Sequence, residues 1–321
     1  MRHAASSIVL AALTLAPAAH AQSVHVLDGT HETRSNDFEG RVLFIEYTNR
    51  SDRVQHATVT RLNDHFGLTA AHVAAAIKPG SSPTVGTGPD YQTDRGTTRT
   101  IIDWGFHPTW TGSFDGTAVD LGWVRFDQPL PGPPGFEIET IRGAGLGVDT
   151  TFVGYGQPAT PDLGLLARDG QRRAFAAVTD EQGHPALGVS TDYARFIFYP
   201  LSIRNLPLAG VVTAGNSGSP GFKDLDSSLT HLAVANSGSP AYSSSSYALR
   251  LKNHEDWIVA NTTPPQTCDP DVNGDGVLDN GDISAYVTLF LAADPVADFT
   301  GDGILDNGDI GAFVTAFLAG C

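Results

Sequence analysis

Cysteine is almost absent. The 321 residues contain two, Cys268 and Cys321. That excludes a scaffold stapled by several disulfides, and two cysteines alone cannot build a structural zinc site. Long apolar runs are also missing. The run from Ile8 to Ala19 falls short of the ~20 residues needed to cross a bilayer, and no other segment is longer and as apolar. Basic residues are absent from one region: Cys268 to Cys321 holds ten Asp and no Lys or Arg. The whole chain carries a formal charge of −16, yet outside this segment 25 acidic residues face 19 basic ones, a balance of −6. Such a charge argues against nucleic acid as a partner. Its concentration in one short segment points to cation binding rather than general solvation.

The beginning of the chain has the form of a signal peptide over residues 1–21. Arg2 and His3 precede the apolar run, and Ala19-His20-Ala21 is a small-x-small cleavage site before Gln22. The competing reading is a membrane anchor, which the shortness of the run disfavours. The mature chain is therefore expected to be exported, soluble and without a membrane span. In an exported protein, Cys268 and Cys321 are expected to pair as a disulfide closing the acidic segment, the alternative being two free thiols. Such a closure stabilises by about 4 kcal/mol in the chain-entropy account.

Residues 22–262 read as all-β. Short runs rich in Val, Ile, Phe and Thr recur at Arg41 to Tyr47, Val119 to Phe126, Thr150 to Tyr155, Arg195 to Tyr199 and His231 to Ala235, separated by Gly, Pro, Asp and Asn. The pattern predicts a barrel or sandwich. A closing helix containing Trp257 is expected over Leu251 to Ala260. The Pro-containing stretch 263–267 reads as a linker. Beyond it lies a duplication: Asp271 to Ala292 aligns without gaps on Asp298 to Ala319, each copy an Asp/Asn/Gly loop followed by an apolar helix, Ile283 to Ala292 and Ile310 to Ala319.

Three segments of the β region carry nucleophilic chemistry. Thr69-Ala70-Ala71-His72 supplies a base, Asp120-Leu121-Gly122-Trp123-Val124-Arg125-Phe126 an acid entering an apolar strand, and Gly215-Asn216-Ser217-Gly218-Ser219-Pro220 a serine in a tight turn. A serine needs a base to attack at neutral pH, and the base needs an orienting acceptor. His72 would take the Ser217 proton, and Asp120 would hold the ring tautomer and stabilise the imidazolium. Gly215 permits a tight turn that aims the N–H groups of Gly215 and Ser217 at a developing oxyanion. Competing readings exist. His72 could be a packed core histidine and Asp120 a turn cap. Asp115 is the rival acid, although no apolar strand follows it directly. Ser237 lies in a second Asn-Ser-Gly-Ser-Pro, residues 236–240, and reads as a loop beside the substrate cleft.

The order His, Asp, Ser and these motifs resemble the trypsin/chymotrypsin-like serine proteases over about residues 40–260. Weaker matches are His107-Pro108, Gly154-Tyr155-Gly156 and Trp257-Ile258. The resemblance implies two packed six-stranded β-barrels with the active site between them, and a protein or peptide substrate. It also implies that Val211, six residues before Ser217, lies at the base of the primary pocket, with Ala235 and Ser237 beside it. An uncharged base predicts apolar or small side chains on the acyl side of the cut. There are departures. Val73 stands where many secreted members have cysteine. Asn216 replaces the Asp that in animal enzymes pairs with a newly cut amine, and no Ile-Val-Gly-Gly start exists. Activation is therefore expected without insertion of a new terminus. The Gly-Asn-Ser-Gly-Ser-Pro run is similar to bacterial glutamyl-endopeptidase relatives, but their glutamate-binding histidine is missing at Ala233-Val234-Ala235.

The acidic segment contains two twelve-residue loops of hard oxygen ligands. The first offers Asp271, Asn273, Asp275, the Val277 carbonyl, Asp279 and Asp282, with Gly276 at the sharp turn. The second offers Asp298, Thr300, Asp302, the Ile304 carbonyl, Asp306 and Asp309. This spacing suits calcium, one ion per loop, the competing reading being a pair of acidic solvated turns. Loop-then-helix duplication without a preceding helix resembles a dockerin domain over residues 268–321. That resemblance implies a cohesin-like module or cell-surface scaffold as partner. Loop positions ten and eleven, often Ser-Thr in dockerins, are Asn280-Gly281 and Asn307-Gly308 here, leaving room for a partner other than a cellulosomal cohesin. Together the expectations describe an exported serine endopeptidase, needing no cofactor for catalysis, tethered through a small helical calcium-loop domain. The alternative is an inactive protease-fold module displayed through the same tail.

Overall fold

The computed structural model describes residues 22–24, 27–113, 115–138, 146–206, 208–223, 228–236, 241–263, 270–274, 277–300 and 303–320. Residues 1–21, where a signal peptide is expected, both cysteines, Ser237, Asp275, Gly276 and Asp302 lie outside the described residues. The chain divides into two compact units, Met1–Thr262 and Thr263–Cys321.

The first unit begins with β1 (Gln22–Val24) and the short helix α1 (Thr30–Ser35). Six strands then close into an antiparallel barrel: β2 (Val42–Thr48), β3 (Val54–Arg61), β4 (Phe66–Thr69), β5 (Thr84–Gly86), β6 (Thr98–Phe106) and β7 (Gly122–Phe126), in the order β2-β3-β4-β7-β6-β5. The helix α2 (Ala71–Ala76) leaves the end of β4. Alternation sets the inside: Val124 and Phe126 on β7 are buried, while Trp123 and Arg125 between them are half-buried.

After β8 (Glu137–Ile138) come β9 (Asp149–Gly154), the short β10 (Pro158–Thr160) and β11 (Gly164–Leu165), then β12 (Arg173–His184), β13 (Val189–Ile197), β14 (Gly210–Val211), β15 (Pro220–Lys223), β16 (Ser228–Asn236) and β17 (Ser245–Arg250). Strands β15-β9-β12-β13-β17-β16 pair in sequence, and β15 also pairs with β16, which closes a second six-stranded barrel. Its core stacks Phe152 on Phe175 at 5.4 Å and sets Phe152 edge-on to Phe196 at 5.0 Å. Each buried ring of this size stabilises by about 1.5–3 kcal/mol. The two-barrel architecture expected from the sequence is the one observed.

Two local differences have physical reasons. The expected single closing helix begins as a 3-10 turn at Leu251–His254 and becomes α3 only at Glu255–Thr262. Strand β1 was outside the sequence-level expectation. It pairs parallel with β10 and antiparallel with β14, contacts that no local pattern announces.

The second unit has two helices, α4 (Asn280–Leu291) and α5 (Asn307–Ala319). Both begin three residues before their apolar periodicity, because Asp279 and Asp306 cap them and Asp282 and Asp309 complete the capping boxes. The repeat-related rings of Tyr286 and Phe313 stack at 4.0 Å, and Ala297, Phe290, Phe299 and Phe317 pack around them. Among the described residues, no helix is long and apolar enough to cross a membrane.

One buried histidine makes the first unit acid-sensitive. His231 on β16 is buried beside Thr230 Oγ1 at 2.9 Å and meets the Phe196 ring edge-to-face. Burial, aided by the Arg250 charge, pushes its pKa down to about 3. In the unfolded chain it titrates near 6.5. The unfolded chain thus binds the extra proton, so this contribution is complete above about pH 6.5 and is lost as pH falls through that window. Unfolding midpoints measured between pH 7 and 4 should fall with acid. His231→Gln should flatten the slope by up to one proton; an unchanged slope would contradict the burial.

Candidate active site and cation-binding loops

His72 sits in the first turn of α2, held by Ala70 at the mouth of β4. Asp120 stands two residues before the start of β7, the strand paired with β4. The sheet register therefore brings them together: His72 Nδ1 lies 2.7 Å from Asp120 Oδ2, and the His72 backbone N–H donates to Asp120 Oδ1 at 2.9 Å. Asp120 is fully buried, whereas the His72 ring is 37% exposed. On its open side, His72 Nε2 lies 2.8 Å from Ser217 Oγ. The three residues singled out in the sequence thus form one continuous hydrogen-bonded chain. Asp115 does something else. Its carboxylate accepts from the Thr117 and Ala118 backbone N–H groups and from Thr117 Oγ1, which holds its pKa low and makes it a turn former.

Ser217 lies in the loop between β14 and β15, and this loop is tied across the barrel boundary to β3. Thr58 N–H donates to the Ser217 carbonyl at 3.0 Å. Thr58 Oγ1 donates to the Gly215 carbonyl at 2.8 Å and accepts from Tyr155 N–H at 3.1 Å. Thr60 Oγ1 donates to the Gly218 carbonyl at 2.7 Å. Gly215 has φ 104°, a region that favours glycine. The loop's carbonyls are consumed in this way, but the N–H groups of Gly215 and Ser217 donate to no acceptor among the described residues.

Asn216 points inward and is fully buried. Its Oδ1 accepts from Thr213 N–H and Thr213 Oγ1, both at 3.0 Å, and its Nδ2 donates to Ser219 Oγ at 3.4 Å. The amide is therefore satisfied within its own loop, without an amine. Gly156 makes the room: a Cβ there would stand 2.7 Å from Asn216 Cγ. A further positioning residue was invisible in the sequence. Tyr193 of β13 donates its hydroxyl to the Ala118 carbonyl at 2.5 Å and accepts from Asp120 N–H at 2.9 Å, locking the acid's backbone.

The expected substrate-binding residues fall differently. Val211 is fully buried, packing with Phe198 and Ala209, and its backbone pairs with Ser23. Ala235 lies on β16 beside Tyr247 of β17, and Ser237 lies outside the described residues.

In the second unit the two loops share one hydrogen-bond scaffold. Asp282 Oδ1 accepts from Asn273 N–H at 3.2 Å, as Asp309 Oδ1 does from Thr300 N–H at 3.0 Å. The first carboxylate of each loop departs from that likeness: Asp271 Oδ1 accepts from Gly274 N–H, at the fourth loop position, and Asp298 Oδ2 from Gly303 N–H, at the sixth. The side chains of Asp282 and Asp309 are buried, and backbone N–H groups, first those of Asp279 and Asp306, hold both below the usual carboxylate range. The donor set is all oxygen, which fits a hard cation. Among the described residues no group of three or more His, Cys, Asp or Glu is poised to hold a metal, with Asp275 and Asp302 outside them. Asp279 and Asp306 accept from Gly281 and Gly308 N–H at 2.6 Å. Val277 and Ile304 are exposed.

No protein-family model matches the chain, and no curated protein sequence matches it. Solved structures do. A scabies mite inactivated protease paralogue, S-I1, is 13% identical, with 73% of this chain and 100% of that one covered at a TM-score of 0.55. Neuropsin, a serine protease expressed in the limbic system of mouse brain, is 13% identical, with 70% of this chain and 95% of that one covered at a TM-score of 0.53. A protein named HL collagenase is 14% identical over 70% of this chain and 93% of that one, at 0.51. These neighbours are trypsin/chymotrypsin-like serine proteases, and the first unit has their two-barrel fold.

The bridging threonine generates a test. Thr58→Val keeps the shape but strands the Tyr155 N–H and the Gly215 carbonyl, a loss of about 1–3 kcal/mol for buried unpaired groups. Denaturant unfolding should show that loss. A stability within about 0.5 kcal/mol of the parent, the usual range for inconsequential changes, would show that the bridge contributes nothing.

Proposed function

We propose that the first unit is a serine endopeptidase. The carrying observation is the unbroken chain Asp120–His72–Ser217 beside two backbone N–H groups that have no other acceptor. Ser217 Oγ attacks the scissile carbonyl carbon while His72 Nε2 takes its proton. Asp120 keeps Nδ1 protonated and offsets the imidazolium charge. The carbonyl oxygen gains negative charge and is received by the Gly215 and Ser217 N–H groups, worth several kcal/mol in such sites. His72 then passes its proton to the leaving amine, and water repeats the sequence to release the acyl group. The uncharged run Val212-Thr213-Ala214 leading into the Ser217 loop supports apolar or small residues on the acyl side, Val211 itself being buried against Phe198 and Ala209. The amide of Asn216, satisfied by Thr213, supports activity without insertion of a freshly cut terminus.

The second unit is proposed as the attachment module of an exported protein, with calcium held by Asp271, Asn273, Asp275, Asp279 and Asp282 and the Val277 carbonyl, and by their repeat counterparts. Bound calcium would neutralise carboxylates that otherwise repel one another, coupling the metal to folding of this unit. The exposed triplets Ile283, Val287, Leu291 and Ile310, Val314, Leu318 repeat on the two helices, which favours a partner-binding role. A cohesin-like module or surface scaffold is the proposed partner.

One experiment separates the two roles. Peptide hydrolysis by the full chain should persist under a calcium chelator while the helical signal of the second unit falls. Ser217→Ala should lose on the order of 10⁶-fold in kcat with calcium present. Hydrolysis that survives Ser217→Ala would remove the nucleophile assignment. Loss of hydrolysis on chelation alone would remove the modular reading.

A further inference from the structure

We infer that Arg168 reads the departing half of the substrate, favouring Asp or Glu in the first two positions after the scissile bond. This rests on the endopeptidase reading above. Arg168 is exposed in the segment between β11 and β12. A Cβ on Gly215 would stand 3.2 Å from Arg168 Nη1, so the guanidinium lies at the rim of the loop that offers the oxyanion donors.

The surroundings set the side of the cut. The Arg168 charge acts on Tyr47 of β2, His56 of β3 and Tyr91, with His56 stacked on Tyr91 at 4.0 Å. These belong to the edge of the first barrel, where Thr58 grips the Ser217 loop. Of the residues expected on the acyl side, Ala235 belongs to β16 of the second barrel, whereas Val211 lies on β14, which pairs with β1 outside that barrel. Arg168 therefore flanks the other end of the scissile bond.

Nearby carboxylates are already engaged. Glu46 binds His56 at 2.9 Å and Arg95 at 3.1 and 3.3 Å. Asp169 binds Arg173 at 2.6 and 3.0 Å. Asp90 accepts from Gln92, Thr93 and Gln171. Arg168 enters no ion pair among the described residues. A second cation reinforces it. Arg50 is anchored by Nε to the Ala75 carbonyl at 3.1 Å, makes no ion pair either, and lines a groove of about 370 Å³ with His72, Phe106 and Trp110. In a chain of charge −16, two guanidiniums without an ion-pair partner among the described residues thus flank the Ser217–His72 pair, Arg168 being hydrogen-bonded to the Tyr91 side chain.

Internally quenched peptides sharing one acyl half, with Ala, Asp or Lys at each of the two following positions, give the test. For the full chain, kcat/KM should rank Asp over Ala over Lys, with Asp over Lys about tenfold, as attraction and repulsion at an exposed cation combine. The ratio should shrink as salt rises. Arg168→Gln should bring it to about twofold, the remainder coming from Arg50, and Arg168→Glu should invert it. Arg168→Lys should keep the preference. Equal rates for Asp and Lys peptides in the parent overturn this inference and leave the endopeptidase reading standing. An unchanged ratio in Arg168→Gln overturns the assignment to Arg168. Failure to cleave any peptide overturns both.

Discussion

The grip of β3 on the Gly215–Gly218 loop is the constraint on which the site depends. His72 and Asp120 belong to the first barrel and Ser217 to the second. Their alignment within 2.8 Å is only as good as the registration of one barrel on the other. Three hydrogen bonds from Thr58 and Thr60 set that registration at the nucleophile itself, using a backbone N–H and two hydroxyls that are buried. Because these atoms are dry, an alternative alignment would leave several of them unpaired. A small sliding of the barrels is thereby made costly.

The same economy appears on the other members of the site. Tyr193 reaches from the second barrel to hold the backbone at Asp120, so the acid too is positioned by the barrel it does not belong to. Asn216 fills the space under Gly154 and Gly156 and is satisfied by Thr213. The loop conformation that leaves the Gly215 and Ser217 N–H groups unengaged is thus held at Asn216 by hydrogen bonds within the loop itself.

What the sequence made legible was local. His72, Asp120 and Ser217 could be picked out because each sits in a short segment whose turn chemistry and neighbouring strand are recognisable. The barrel strands were legible from alternating apolar residues, and the duplication of the second unit from an acidic spacing that occurs twice. What stayed hidden depends on contacts far apart along the chain. Thr58 meets Gly215 across 157 positions and Tyr193 meets Asp120 across 73, and nothing in a window around either residue distinguishes it from an ordinary strand residue. The start of each terminal helix was missed by three residues for the opposite reason. Polar caps, not apolar periodicity, decide where a helix begins. Arg168 was hidden because a lone exposed arginine in a loop gains meaning only from the Gly215 turn beside it.

The central claim is that Ser217, activated by His72 and Asp120, is the nucleophile. Its most direct measurement is labelling of the calcium-loaded protein with a fluorophosphonate, followed by mass spectrometry of the digested adduct. The account predicts one equivalent of label on Ser217 and its near-complete suppression by His72→Ala. Label on Ser237, in the second Asn-Ser-Gly-Ser-Pro, or no label on a protein shown to be folded, would contradict it.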